Sequence, residues 1–62
     1  MSWKRFDNLF VYEQQEVLQV VFSRTGLMYD VTTEKGLNAL KKEYHSYNAV
    51  RSYVDEAMEE VL

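Results

Sequence analysis

The chain has 62 residues, a net charge of −3 and no cysteine, which limits it to one small domain, residues 1–62, without disulfides or a thiolate metal site. A chain of this length buries only about 60% of its unfolded surface, so oligomerisation, a partner or unusually dense packing has to supply what disulfides supply elsewhere. The acidic balance, with a pI near 4.9, argues against a general polyanion binder, and the 47% apolar and 15% aromatic content argues against disorder.

At the N-terminus, Trp3, Lys4, Arg5 and Phe6 interleave aromatic and basic residues, as do surfaces that stack single-stranded bases and pair their phosphates. Trp3, Lys4 and Arg5, joined by Arg51, therefore form an alternative nucleic-acid-binding set. The simpler expectation has Trp3 covering one end of a core while Lys4 and Arg5 face water. MSWKRFDN is not followed by the apolar run of a secretory signal, and no segment reaches the roughly 18 apolar residues of a membrane span. An intact cytoplasmic protein with no membrane association is expected.

Residues 9–22, LFVYEQQEVLQVVF, set β-branched and aromatic residues on both sides of a polar knot. That mix suits pleated structure. Leu18, Val20 and Phe22 would share one face of a strand and Val17, Gln19 and Val21 the other, with Ser23-Arg24-Thr25-Gly26 turning the chain into a return strand through Leu27, Tyr29 and Val31. Gly26 is the natural place for a positive φ. A helix from Asp7 to about Thr25, capped by Asp7 and stopped by Gly26, is the rival. Against it, Glu13, Gln14, Gln15 and Glu16 fall at steps of about 100° and would point all round its circumference.

From Thr32 the period changes. Thr32 and Thr33 are N-cap candidates, and Leu37, Leu40, Tyr44, Tyr47, Arg51, Val54, Met58 and Val61 recur in steps of three and four. One continuous helix would run roughly 43 Å, long for so small a body. A break at His45-Ser46-Tyr47-Asn48, with Ser46 or Asn48 capping, predicts two helices, about 33–45 and 48–61. A single long helix or a coiled-coil seam with Arg51 as its polar exception are the alternatives. The fold expected is thus α+β: a small antiparallel hairpin or three-stranded sheet over about residues 4–31, then one or two helices. The last helix ends in Asp55, Glu56, Glu59 and Glu60, charges that oppose its macrodipole by about 0.3–1 kcal/mol each. They are either a solvated end helped by Lys4 and Arg5 or an acidic surface for a basic partner.

No constellation of catalytic chemistry is present. Acid-base or nucleophilic work needs a His or Cys with oriented partners, or two carboxylates in a cleft. The single histidine, His45, lies between Tyr44 and Ser46 near an expected helix end, and Gly26 and Gly36 stand alone, outside any phosphate-cradling loop. A non-enzymatic protein without metal or cofactor is expected.

The run LQVVFSRTGLMYDV, followed by a helix and then by Tyr47, Asn48, Val50, Arg51 and Tyr53, resembles the small KTSC domain family over residues 9–53. That resemblance implies a β-hairpin, a helix and an aromatic, basic tail, in a family of short free-standing proteins, phage ones included, and of modules appended to a lysyl-tRNA synthetase. The chain departs from the family pattern in having no proline and in reading HSYN before the aromatic tail.

Apolar residues on both faces of the expected strands call for cover on both sides. Function is accordingly expected to be binding: a protein-interaction module that docks through a free sheet face or edge strand. By analogy with small phage and mobile-element proteins it would act as a regulator or inhibitor of another protein. The candidate partner-binding residues are Trp3, Phe10, Tyr12, Val21, Asp55, Glu56, Glu59 and Glu60. The partner is another protein or a second copy, as in a homodimer. The alternatives are the nucleic-acid-binding module and a structural homodimer subunit.

Overall fold

The computed structural model describes residues 3–62, and among these no strand occurs. Four helices follow one another: α1 (Trp3–Asp7), α2 (Val11–Thr25), α3 (Glu34–Ser46) and α4 (Asn48–Val61). The α+β expectation is overturned, and with it the hairpin or sheet over residues 4–31, the hairpin that the KTSC resemblance implied, and the free sheet face or edge strand as a docking surface. The described chain is all-helical.

The polar knot is what makes α2 possible, because its four residues go to three different uses. Glu13 accepts the Phe10 backbone N–H through its carboxylate at 3.0 Å, while the Phe10 carbonyl takes the N–H groups of Glu13 and Gln14. These bonds start the helix although Phe10 has no side-chain acceptor of its own. Gln14 turns inward and is buried; Gln15 and Glu16 remain in water. Behind them Val17, Leu18 and Val21 form the buried face. The β-branched and aromatic content that favoured strands is overridden by this tertiary packing, which propensity does not anticipate.

Gly26 does adopt a positive φ, 75°, but as the stop of α2. Its N–H bonds the Phe22 carbonyl at 2.8 Å, in the left-handed conformation that glycine takes without steric cost. Thr25 reinforces the stop. Its hydroxyl donates to the Val21 carbonyl and accepts the Leu27 N–H.

Residues 26–33 then fold back to α3, whose N-cap is Thr33, with its Oγ1 accepting the Gly36 N–H at 3.1 Å. Gly36 lies so close to the preceding loop that a Cβ built on it would fall 1.8 Å from the Asp30 carbonyl oxygen. The break between α3 and α4 is one residue, Tyr47, in extended conformation. Its N–H closes α3 on the Glu43 carbonyl and its carbonyl opens α4 by accepting the Arg51 N–H. With principal extents of 24 × 24 × 22 Å, the body could not hold the roughly 43 Å rod of an unbroken helix.

Both α2 and α3 pack on α4, which contributes Val50, Val54, Ala57 and Met58 to the core. Phe6, Val17, Val21, Leu40 and Tyr44 complete it from the other helices. Trp3 closes one end, with ring centroids 5.0 Å from Phe6 and 5.5 Å from Tyr44. No helix among the described residues is long and apolar enough to cross a membrane.

Candidate protein-interaction face

Helix α2 buries one side against α4 and leaves the opposite side without cover among the described residues. At about 100° per residue, Tyr12, Gln15, Gln19 and Phe22 fall within an arc of about 80°, and Val11 and Leu18 lie along one edge of it. The charged residues of α2, Glu13, Glu16 and Arg24, all project outside this arc. The result is a helix face with no formal charge, in a chain where 27% of residues are charged.

The face is apolar at both ends. Tyr12 is 60% exposed and Phe10, just outside the helix, 72% exposed; their rings stack at 5.9 Å with an 11° interplanar angle. At the other end Phe22 is 46% exposed and Met28, from the loop that follows Gly26, 74% exposed. Leu18, Phe22, Met28, Tyr29 and Val31 line an open groove of about 470 Å³, with Gln15, Gln19 and one charged residue, Asp30, also along it. Single exposed apolar side chains are ordinary, whereas clusters of them mark contact surfaces, and here one pair stands at each end of the face with Gln15 and Gln19 between.

The groove's loop wall is held in place by hydrogen bonds. The Tyr29 hydroxyl donates to Glu43 Oε1 at 2.9 Å, which fixes the loop to α3, and burial together with that carboxylate pushes the phenol up to about 12. Asp30 Oδ1 accepts from the Thr32 hydroxyl and from its backbone N–H. Those two bonds hold the Asp30 carboxyl below the usual carboxylate range, the hydroxyl contributing most.

The residues singled out from sequence do not form one surface. Phe10 and Tyr12 lie together on the α2 face. Trp3 and Val21 are core residues, 7% and 0% exposed, and present little or no surface to a partner or to a nucleic-acid base. The acidic residues of α4 are largely engaged within the molecule. Asp55 accepts the Tyr44 hydroxyl at 2.7 Å, Glu59 pairs with Arg5 at 3.0 Å, and Glu60 pairs with Arg24. Glu56 is exposed. Of the basic set, Lys4 is exposed, Arg5 holds Glu59, and Arg51 donates to Asn48 Oδ1 at the start of α4.

Val11, Phe22 and Met28, also exposed here, are not among the residues singled out from sequence, because in a strand reading Phe22 falls beside Leu18 and Val20. Read at the helical period, the spacing of Tyr12, Gln15, Gln19 and Phe22 would have collected the face. Among the described residues no group of three or more His, Cys, Asp or Glu is placed to hold a metal ion.

In comparisons with known proteins, no family model, no curated protein and no solved structure matches this chain.

Proposed function

We propose that this chain is a protein-interaction module that docks through the uncharged outer face of α2 and the adjoining groove. Support comes from one observation above all: Phe10, Tyr12, Phe22 and Met28 stand exposed on or beside a helix face that carries no charge, with Asp30 the one charged residue at the adjoining groove. Aromatic residues and methionine are the types enriched at protein contacts, and charge is depleted at the centre of such contacts. The framework beneath is set by core packing and backbone caps, so the face is presented on a rigid element and its ordering is not charged against binding.

The test compares two baits, the wild-type chain and a Phe22→Glu variant. Phe22 lies at the groove and outside the core, so the variant keeps the wild-type far-ultraviolet dichroism. Proteins retained by the wild type, the chain itself included, are expected to be lost from the variant. Identical retention by both baits would remove the α2 face as a docking surface.

A further inference from the structure

We infer that the occupant of the α2 face is a second copy of this chain, docked antiparallel about a two-fold axis that passes at the level of Val17. This rests on the interaction-module reading and names the partner of that same face. In a two-fold contact, residue i of one copy meets residue j of the other and j meets i, so the surface has to be complementary to itself.

The α2 face meets that condition in spacing and in chemistry. Tyr12, Gln15, Gln19 and Phe22 are separated by three, four and three residues, a pattern unchanged when the helix direction is reversed. Side-chain types follow the same symmetry: aromatic, amide, amide, aromatic. One antiparallel register sets Tyr12 against the second copy's Phe22 at each end and Gln15 against its Gln19 on either side of the axis. Because a glutamine amide both donates and accepts, those central pairs satisfy each other without charge. Phe10, stacked on Tyr12, and Met28, beside Phe22 in the groove, extend the two ends, where sulfur against an aromatic ring is a favourable contact. An antiparallel pair also sets the two α2 macrodipoles in opposition, each N-terminal end beside the other copy's C-terminal end.

Electrostatics favour an uncharged arc for self-contact. A chain of net charge −3 repels its own copy, and any charged residue near a two-fold axis is brought close to its own image. The α2 face has none within its arc; the nearest are Glu16, exposed about 40° beyond Tyr12 at the level of the axis, and Asp30 at the groove. The area is sufficient as well. Aromatic side chains carry about 150–250 Å² each, so the exposed parts of Phe10, Val11, Tyr12, Phe22 and Met28 amount to on the order of 600 Å². With Gln15, Gln19 and the groove wall, the face approaches the roughly 800 Å² per partner of a standard interface.

Sedimentation equilibrium from micromolar to near-millimolar chain tests the inference. Wild type is expected to reach twice the 7.4 kDa chain mass. Gln15→Lys/Gln19→Lys and Gln15→Glu/Gln19→Glu each oppose like charges across the axis at exposed positions, so each alone is expected to stay at single-chain mass with unchanged dichroism. Mixed in equal amounts, the two are expected to return to twice that mass. If either double variant fails to fold, Tyr12→Glu takes its place and is expected to remain at single-chain mass.

A wild type that stays at single-chain mass throughout overturns the inference, as does doubling that survives both charge variants or is not restored on mixing. Single-chain mass together with another protein held by the wild-type bait and lost from Phe22→Glu removes the second copy and keeps the docking face. Single-chain mass with no difference between baits removes both.

Discussion

The side-chain amide of Gln14 donates to the Phe6 carbonyl at 3.0 Å, and this buried bond joins the last turn of α1 to the first turn of α2. It explains how a glutamine can sit 4% exposed among valines and a phenylalanine, since a buried amide is tolerated when it is bonded. The same carbonyl also accepts the Leu9 N–H at 3.1 Å. Gln14→Leu therefore leaves the carbonyl with one partner and is expected to cost only about 1 kcal/mol. Gln14→Glu faces a carboxylate toward that carbonyl and is expected to cost more, about 1–3 kcal/mol at neutral pH. The excess is expected to shrink in acid, where a protonated carboxyl donates as the amide does. Urea unfolding of both variants at neutral and acid pH checks this, and an excess independent of pH would contradict it.

Gly36 is required for a different reason from Gly26. The built Cβ at Gly36 meets the Asp30 carbonyl oxygen at 1.8 Å and its carbon at 2.7 Å, and backbone atoms cannot swing aside as a side chain does. Gly36→Ala is expected to destabilise by about 1–3 kcal/mol, although alanine is the better helix former by about 1 kcal/mol. At Gly26 a Cβ meets nothing within 4 Å, and the cost of Gly26→Ala is the left-handed backbone alone, about 1–2 kcal/mol. The distinguishing measurement is hydrogen exchange. Gly36→Ala is expected to release protection in the first turn of α3 and at Thr33, whose N–H bonds the Asp30 carbonyl, while Gly26→Ala frays only the end of α2.

The punctuation of the chain is legible in the sequence and part of its interior is not. Thr33 as a cap, Gly26 as a positive-φ residue and the break near Tyr47 follow from local chemistry that each residue carries wherever it is placed. The reading of residues 9–22 fails because it treats Glu13, Gln14, Gln15 and Glu16 as one polar block. Gln14 belongs inside, and the group that makes this possible is a carbonyl eight residues away on another helix. Nothing in the local pattern of residues 9–22 records that partner. The same holds for the site. Phe10 and Tyr12 can be chosen for being large and apolar beside charged neighbours, but Val21 differs from Phe22 only in which side of α2 it occupies, and that depends on knowing that α2 is a helix.

The carboxylates at the end of α4 make a directional prediction. Glu60 opposes the α4 macrodipole but pairs with Arg24, and Arg24 lies in the last turn of α2, where a positive charge is favourable. Removing Arg24 loses both the ion pair and that favourable placement, and leaves Glu60 uncompensated. Removing Glu60 loses the pair but relieves its own helix. Arg24→Gln is expected to cost about 1 kcal/mol and Glu60→Gln close to zero. Both side chains are partly in solvent, at 41% and 50% exposure, so the difference is expected to shrink as salt is raised. Urea midpoints at low and high salt measure it, and equal costs would mean that the pair alone sets the energy.

Two tyrosines give the fold an alkaline limit. Tyr29 donates to Glu43 at 2.9 Å and Tyr44 to Asp55 at 2.7 Å. In both, burial first and the carboxylate partner second push the phenol from 10.0 to about 12. A phenol whose folded value is raised is kept neutral by the fold, so below pH 10 neither state has lost the proton and the stabilisation is fully present. Between about pH 10 and 12 the unfolded chain releases protons that the folded chain still holds, and stability falls as pH rises. Tyr44→Phe is expected to reduce that slope, and Tyr29→Phe/Tyr44→Phe to abolish the tyrosine contribution to it. The check is the urea midpoint followed from neutral to strongly alkaline pH, beside tyrosinate absorbance on the folded protein. A slope unchanged in the double variant would assign the alkaline limit to other groups.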